Sequence, residues 1–373
     1  MKYLNNLSFL FVFYLTSLFF FYSCEDKERG GHGINSVEEA ELLAIYEREG
    51  YDEIFIVNPE GKELAHYVLI DKGNEADISI PKDAVKLSVP LEGLILDSEV
   101  YASAFEELNK EESIKGILDA QYVTSSNLKR KLKENLIEDV GQSTSPNTEK
   151  ILSLRPDVLI ISYYNGMQTE GLDRLGIPVI KMLDLQESSP LGRAEWLRFI
   201  GKLTGREETA DSIFKKVKEH YNDIKNFATK KSDKNRPKVL AETIYEGIWS
   251  VPGGKSYQGK LIEDGGGNYF MKDDNTPVTL NLSPEKVLSK GGDSDIWIIK
   301  FYGDEKQLKD LLASDPLYKE INAYKEENIY FSDTSKSGLY REFPFHPDLL
   351  LEDYRVMFNN DTMANLRYFK KLQ

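Results

Sequence analysis

Cysteine is almost missing from this chain: its 373 residues contain one, Cys24. No internal disulfide can form. Histidine is scarce as well, and its four copies, His32, His66, His220 and His346, fall in an N-terminal tether, a predicted hairpin, a predicted long helix and a predicted helix cap. None has the spacing of a metal-ligand set. His66 therefore reads as a strand residue, His346 as structural and His220 as solvent-facing. An excess of positive charge is absent too, because 47 lysines and arginines face 62 aspartates and glutamates for a net charge of −15. Such a field excludes nucleic-acid binding through overall charge. Catalytic motifs are equally thin. No G-x-S-x-G elbow occurs, and Val251-Pro252-Gly253-Gly254-Lys255-Ser256 fails as a phosphate loop because Trp249 stands where that pattern needs glycine. No nucleophile, metal or acid–base cluster is visible, so an enzyme is the least favoured class.

Long apolar runs are confined to the start. After the single cation Lys2, the chain is apolar from Leu7 to Tyr22 except for Ser8, Thr16 and Ser17, and it then reaches Ser23-Cys24. A basic start, an apolar stretch and a small residue before the cleavage point describe a secretory signal. At sixteen residues the run is just short of the roughly 17–25 that span a bilayer. The lone cysteine stands where a bacterial lipoprotein carries its lipid, in a loose lipobox with Phe21 in place of the usual leucine. The expectation is a signal over 1–23, lipidation at Cys24 and a charged, glycine-rich tether over 24–35. Cleavage removes one cation and no anion.

Two α/β lobes are expected from the remaining pattern, 36–190 and 233–373, joined by a helical bridge over 191–232. A capped helix is predicted over 37–43 behind Ser36. A hairpin follows, from Ile54-Phe55-Ile56-Val57 through the turn Asn58-Pro59-Glu60-Gly61 to Ala65–Ile70. Apolar runs at 93–96, 114–118, 158–161 and 178–181 then alternate with helical patterns, which predicts Rossmann-like parallel sheets covered by helices. Between 191 and 231 apolar residues keep a 3.6-residue spacing without a strand, and the reading is one long bridging helix despite Thr204-Gly205. Alternation resumes with Val239-Leu240-Ala241, Trp297–Ile299 and Ile329–Phe331. A ligand cleft between the lobes is the natural consequence.

One phrase occurs twice, 136 positions apart: Glu149-Lys150-Ile151-Leu152-Ser153 and Glu285-Lys286-Val287-Leu288-Ser289. Each copy opens behind a proline-containing helix start and leads into an apolar strand. Each lobe thus presents one glutamate in the first turn of an equivalent helix. In open parallel sheets, ligands bind beyond the carboxyl ends of the strands, and aromatic residues follow these strands repeatedly. The candidate ligand-binding residues are Asp97, Tyr101, Tyr163, Tyr164, Tyr245, Trp249, Tyr257, Tyr302, Tyr340 and Arg341. Aromatic side chains there make a wide, largely apolar lining with a few polar tips. Arg341, Lys255, Lys300 and Lys336 are candidate partners for an anionic cargo.

With the paired glutamates, the bridge and the lipoprotein start in view, the chain resembles the class III substrate-binding proteins of ABC importers, which bind cobalamin, haem and ferric siderophores. The resemblance covers roughly 86–373, and its most specific element is the stretch from Ser145 to Ile160, with Asn-x-Glu-x-Ile followed by Leu-x-Pro-Asp. Leu282-Ser283-Pro284-Glu285 matches the C-terminal counterpart, while Gly291-Gly292 departs from it. The resemblance implies docking of Glu149 and Glu285 on an ABC permease dimer and a monomer anchored in the cell envelope through Cys24. It also implies a metal-chelate cargo, a ferric siderophore or haem ahead of cobalamin, with no intrinsic cofactor or catalysis. A surface-exposed lipoprotein scavenger that hands cargo to an outer-membrane partner is the alternative, motivated by Glu25-Asp26 directly behind Cys24.

Overall fold

The computed structural model describes residues 34–74, 79–164, 167, 170–228, 230, 233–361 and 363–373. The readings of the signal, Cys24 and nearly all of the tether lie outside the described residues.

Two five-stranded sheets form the frame. In the N-terminal one, Leu94–Leu96 lies at the centre, with Ile114–Ile117 and Glu138–Asp139 on one side and Val158–Ser162 and Val179–Met182 on the other. All of its pairings are parallel. Alternate residues serve opposite faces, as strand geometry demands. Leu94, Leu96, Val158, Ile160, Ile180 and Met182 join one apolar cluster, whereas Ile95, Leu159, Ile161 and Val179 join another. Both faces are buried, which is why these strands read as continuous apolar runs. The C-terminal sheet runs Asn268–Tyr269, Lys238–Ala241, Ile296–Phe301, Ile329–Asp333, Lys370–Lys371. Only its last strand is antiparallel.

Strand order reverses beside Leu94–Leu96 in the first sheet and beside Lys238–Ala241 in the second. These are the switch points at which open α/β sheets hold ligands. The two repeated phrases lie on the helices Thr148–Leu154 and Pro284–Gly291, which lead into the central strands Val158–Ser162 and Ile296–Phe301. Asn147 caps the first helix by accepting from the Lys150 amide, and Ser283 caps the second by accepting from that of Lys286.

Three expectations change. Residues 37–42 form no helix, because two buried carboxylates from elsewhere take their amides: Glu195 accepts from Glu38, Glu39 and Ala40, and Glu187 from Glu41 and Leu42. With those donors already satisfied, a helical turn has nothing to gain. The predicted hairpin is real, Tyr51–Val57 with Glu63–Asp71, but it belongs to a four-stranded sheet completed by Leu43–Arg48 and Val85–Val89. This added sheet packs Ile54, Ile56, Tyr67, Leu69 and Leu87 into the N-terminal core. Its Tyr67 hydroxyl donates to Val179 O at 2.9 Å and accepts from the Lys181 amide, which covers the edge strand. The bridge is two helices, Pro190–Thr204 and Glu207–Ala228. Gly205 ends the first with φ +63°, a left-handed cap that glycine adopts without penalty. Trp196, Phe199, Ile200 and Leu203 of the first helix pack into the N-terminal core, while Phe214, Val217, Tyr221 and Ile224 of the second pack into the C-terminal core.

Candidate functional site

Both sheets turn the carboxyl ends of their central strands towards one cleft. A cavity of about 490 Å³ is lined from the N-terminal side by Asp97, Asp119, Tyr122 and Thr124 and from the C-terminal side by Lys300, Tyr302, Tyr340 and Arg341. An adjoining cavity of about 720 Å³ shares Lys300, Tyr302 and Tyr340 and adds Glu242 and Tyr245. Both volumes fall in the range of small-molecule sites.

The cleft floor is a chain of polar contacts that crosses from one lobe to the other. Asp97 accepts from the Ser162 amide at 2.5 Å, and the Ser162 hydroxyl lies 3.1 Å from that of Tyr101. Tyr101 donates to Asp184 at 2.8 Å, and Arg193 of the first bridge helix donates to the other Asp184 oxygen at 3.0 Å. Arg193 also donates to the Tyr257 hydroxyl at 2.9 Å and lies over the Tyr257 and Phe343 rings. Gln258 donates to the same hydroxyl and accepts from Lys300, which closes the series in an ion pair with Glu242. Tyr101, Asp184 and Arg193 are almost fully buried.

Burial sets the protonation of this floor. It pushes the Asp97 carboxyl up to about 7, aided by the nearby Asp184 charge and opposed by the Ser162 hydrogen bonds. Burial likewise raises the Tyr101 phenol, with Asp184 beside it. For Lys300 burial works against the charge, but the Glu242 carboxylate outweighs it and holds the ammonium well above its ordinary value. Tyr340 is raised chiefly by burial, so it is a phenol at neutral pH.

The sequence-derived candidates divide by position. Asp97, Tyr245, Tyr302, Tyr340 and Arg341 line the two cavities. Tyr101 and Tyr257 belong to the floor, and Tyr257 also lines a third cavity of about 730 Å³ beside Leu185 and Gln258. Tyr163 is half-buried under Lys181, and Tyr164 is exposed. Trp249 is a correction: it is 0 % exposed, packs against Trp297 and Tyr318 and donates its indole N–H to Ala241 O at 3.0 Å. Its strand pairs antiparallel with Thr279–Leu282, which turns it into the core. The four candidate cations divide as well, and only Lys300 and Arg341 line the cleft. Lys300 is paired with Glu242, Arg341 with Glu342 at 2.7 Å and more loosely with Glu106, and Lys336 with Asp333, while Lys255 lines none of these cavities.

Sequence reasoning missed Tyr122, although it follows the strand Ile114–Ile117 and the strand-end rule points to it. It also missed Arg193, Asp184 and Ser162. The floor is accompanied by a second seam, where His346 meets Glu107 at 2.8 Å and Ser103 donates to Arg341 O. Both glutamates of the repeated phrase are exposed. The amide of its own residue and the Ser283 hydroxyl hold Glu285 below the ordinary carboxylate range.

The chain matches the periplasmic binding protein family over residues 109–335. An uncharacterized lipoprotein of Methanocaldococcus jannaschii is 26% identical over 316 residues, covering 77% of this chain and 73% of that protein. The iron-uptake system-binding protein of Bacillus subtilis is 28% identical over 206 residues, covering 52% of this chain and 60% of its own. Among solved structures, the TroA-like periplasmic binding protein FepB from Veillonella parvula is similar with a TM-score of 0.58 at 19% identity, covering 77% of this chain and 96% of that one. Two lobes, a cleft at their switch points and this match agree: the chain belongs to the class III periplasmic binding proteins, which bind solutes for transport and are not enzymes.

Proposed function

We propose that this protein is a lipoprotein of the cell envelope, anchored through Cys24, that captures an iron chelate in the cleft and delivers it to an ABC permease dimer. The observation that carries the cargo reading is a tyrosine-lined cavity whose two cations, Lys300 and Arg341, are already paired with carboxylates. A polyanionic chelate needs free cations, since burying unpaired charge is costly. A ferric chelate of low net charge, such as a hydroxamate, needs apolar walls and hydrogen-bond donors, which Tyr122, Tyr302 and Tyr340 supply. The name of the Bacillus subtilis relative supports iron as the metal delivered. Glu149 and Glu285 serve as docking points: each is exposed in the first turn of an equivalent helix, where the helix dipole favours a carboxylate.

Calorimetric titration of the mature protein with a ferric hydroxamate, a ferric catecholate, haem and cobalamin tests the cargo. The hydroxamate is expected to bind most tightly. Failure of all four to bind below about 10 μM, near −7 kcal/mol, overturns the chelate reading, and a haem or cobalamin preference replaces the iron hydroxamate. Charge reversal, Glu149→Lys with Glu285→Lys, is expected to abolish uptake while leaving affinity intact. Undiminished uptake removes the docking role. Cys24→Ala is expected to release the protein from the membrane fraction.

A further inference from the structure

The added sheet carries a cluster that the solute-binding role does not use. Three residues, Glu63, His66 and Asp83, bring one ligand atom each to within 4.8 Å of one another. Glu63 and His66 are three apart on one strand, a spacing that normally places side chains on opposite faces. Here a bulge intervenes: Val57 opposes Glu63 and Ile56 opposes Ala65, which leaves Leu64 as an extra residue. Counted against the partner strand, His66 opposite Phe55 and Glu63 opposite Val57 are two positions apart, so they share a face. Asp83 lies two residues before Val85–Val89, which pairs parallel with Glu63–Asp71, and it stands alongside His66.

The imidazole is prepared for a cation. His66 is 7 % exposed and stacks on Phe55 with ring centroids 4.3 Å apart. Its Nε2 lies 3.0 Å from Glu53 Oε1, and Glu53 is also paired with Arg48. A carboxylate only accepts hydrogen bonds, so whenever the ring is neutral Nε2 carries its proton and Nδ1 keeps its lone pair. That Nδ1 is buried without a hydrogen-bond partner; the nearest carboxylate oxygen, on Asp83, is 3.6 Å away, beyond hydrogen-bond length. In that tautomer three acceptors converge with no donor among them. A carboxylate holding the far nitrogen of a metal-binding imidazole is the usual outer support of a metal ligand.

We infer that Glu63, His66 and Asp83 form a binding site for a divalent transition metal, with Zn²⁺ the best match to one imidazole and two carboxylates. Ligands about 2 Å from a common ion lie roughly 3.3 Å apart, so the two exposed carboxylates draw inward on binding and water completes the coordination. The ion pins Asp83 to the sheet. Its site is separate from the cleft, so cargo binding does not depend on it.

The test uses mature protein stripped with a chelator and titrated with ZnCl₂ against a chromophoric indicator. One Zn²⁺ per chain is expected, with at least tenfold weaker binding in Asp83→Asn and in Glu63→Gln. Both positions are exposed, so both variants fold, and any contribution from His32 is common to all three proteins. Saturating Zn²⁺ is expected to raise Tm in the parent and not in the variants, with EDTA reversing it. Zn²⁺ binding weaker than about 100 μM, or equal binding in parent and variants, overturns the proposal.

Discussion

The floor of the cleft and its mouth use the same residue types in opposite ways. In the floor, Tyr101, Asp184 and Arg193 are spent on one another and Lys300 on Glu242, so charge and hydroxyl groups hold the lobes in register. At the mouth, Tyr245 and Tyr302 are 76 % and 69 % exposed, and their rings have no comparable partners to lose. A tyrosine after a strand is therefore either a strut or a side chain left open in the cleft, and burial of its hydroxyl decides which. The difference also explains how a cleft with basic residues presents little free positive charge.

The sharpest way to break the floor is at Arg193. Arg193→Met leaves Asp184 buried and unpaired, and removing one partner of a buried pair costs about 3–5 kcal/mol. Denaturant melts are expected to show that loss, and the double change with Asp184→Leu is expected to recover much of it. Little loss in the single variant would mean that the floor is not holding the lobes. Asp97, where floor meets mouth, gives the next effect. Its carboxyl is raised from 3.8 to about 7 in the folded protein, so the stability it contributes is fully present below pH 3.8 and is lost as pH rises towards 7. A shift of about three units corresponds to roughly 4 kcal/mol at most. Asp97→Asn is expected to match the parent at pH 4 and exceed it at pH 8, and parallel pH curves for the two proteins would refute the assignment.

The mouth should respond in the opposite currency. Tyr302→Ala is expected to weaken cargo binding about tenfold, near 1.4 kcal/mol, with Tm unchanged, because its ring is exposed until cargo covers it. Trp249→Phe is expected to lower Tm and spare affinity, since the indole fills the core and donates to Ala241 O. If both changes altered affinity equally, the division between floor and mouth would fail.

Much of the fold was legible because both sheets are buried on both faces and their strands read as unbroken apolar runs. The repeated phrase and its two proline-containing helix starts were legible for a local reason: a helix start is written within a few residues. The unread parts are all long-range. Residues 37–42 look like a capped helix until Glu187 and Glu195, some 150 positions away, claim their amides. Trp249 looks like a cleft aromatic until strand Thr279–Leu282 pairs beside it. His66 looks like an ordinary strand residue because the bulge at Leu64, which aligns it with Glu63, depends on pairing with a different strand. In the cleft, sequence placed the aromatics at the correct ends of the strands but could not show that Glu242 and Glu342 neutralise Lys300 and Arg341.

The smallest effect should come from the second seam. Burial opposes the charge on His346, but Glu107, 2.8 Å away, outweighs it and raises the imidazole above its ordinary 6.5. A raised histidine contributes stability that is fully present below pH 6.5 and is lost as pH climbs through the raised value. Because both partners are partly exposed, the pair is worth about 0.5–1 kcal/mol. His346→Gln is expected to be less stable than the parent by that amount at pH 5.5 and indistinguishable from it at pH 9, read from denaturant midpoints. A deficit that persists at pH 9 would instead assign His346 to packing at the start of the helix Pro347–Phe358.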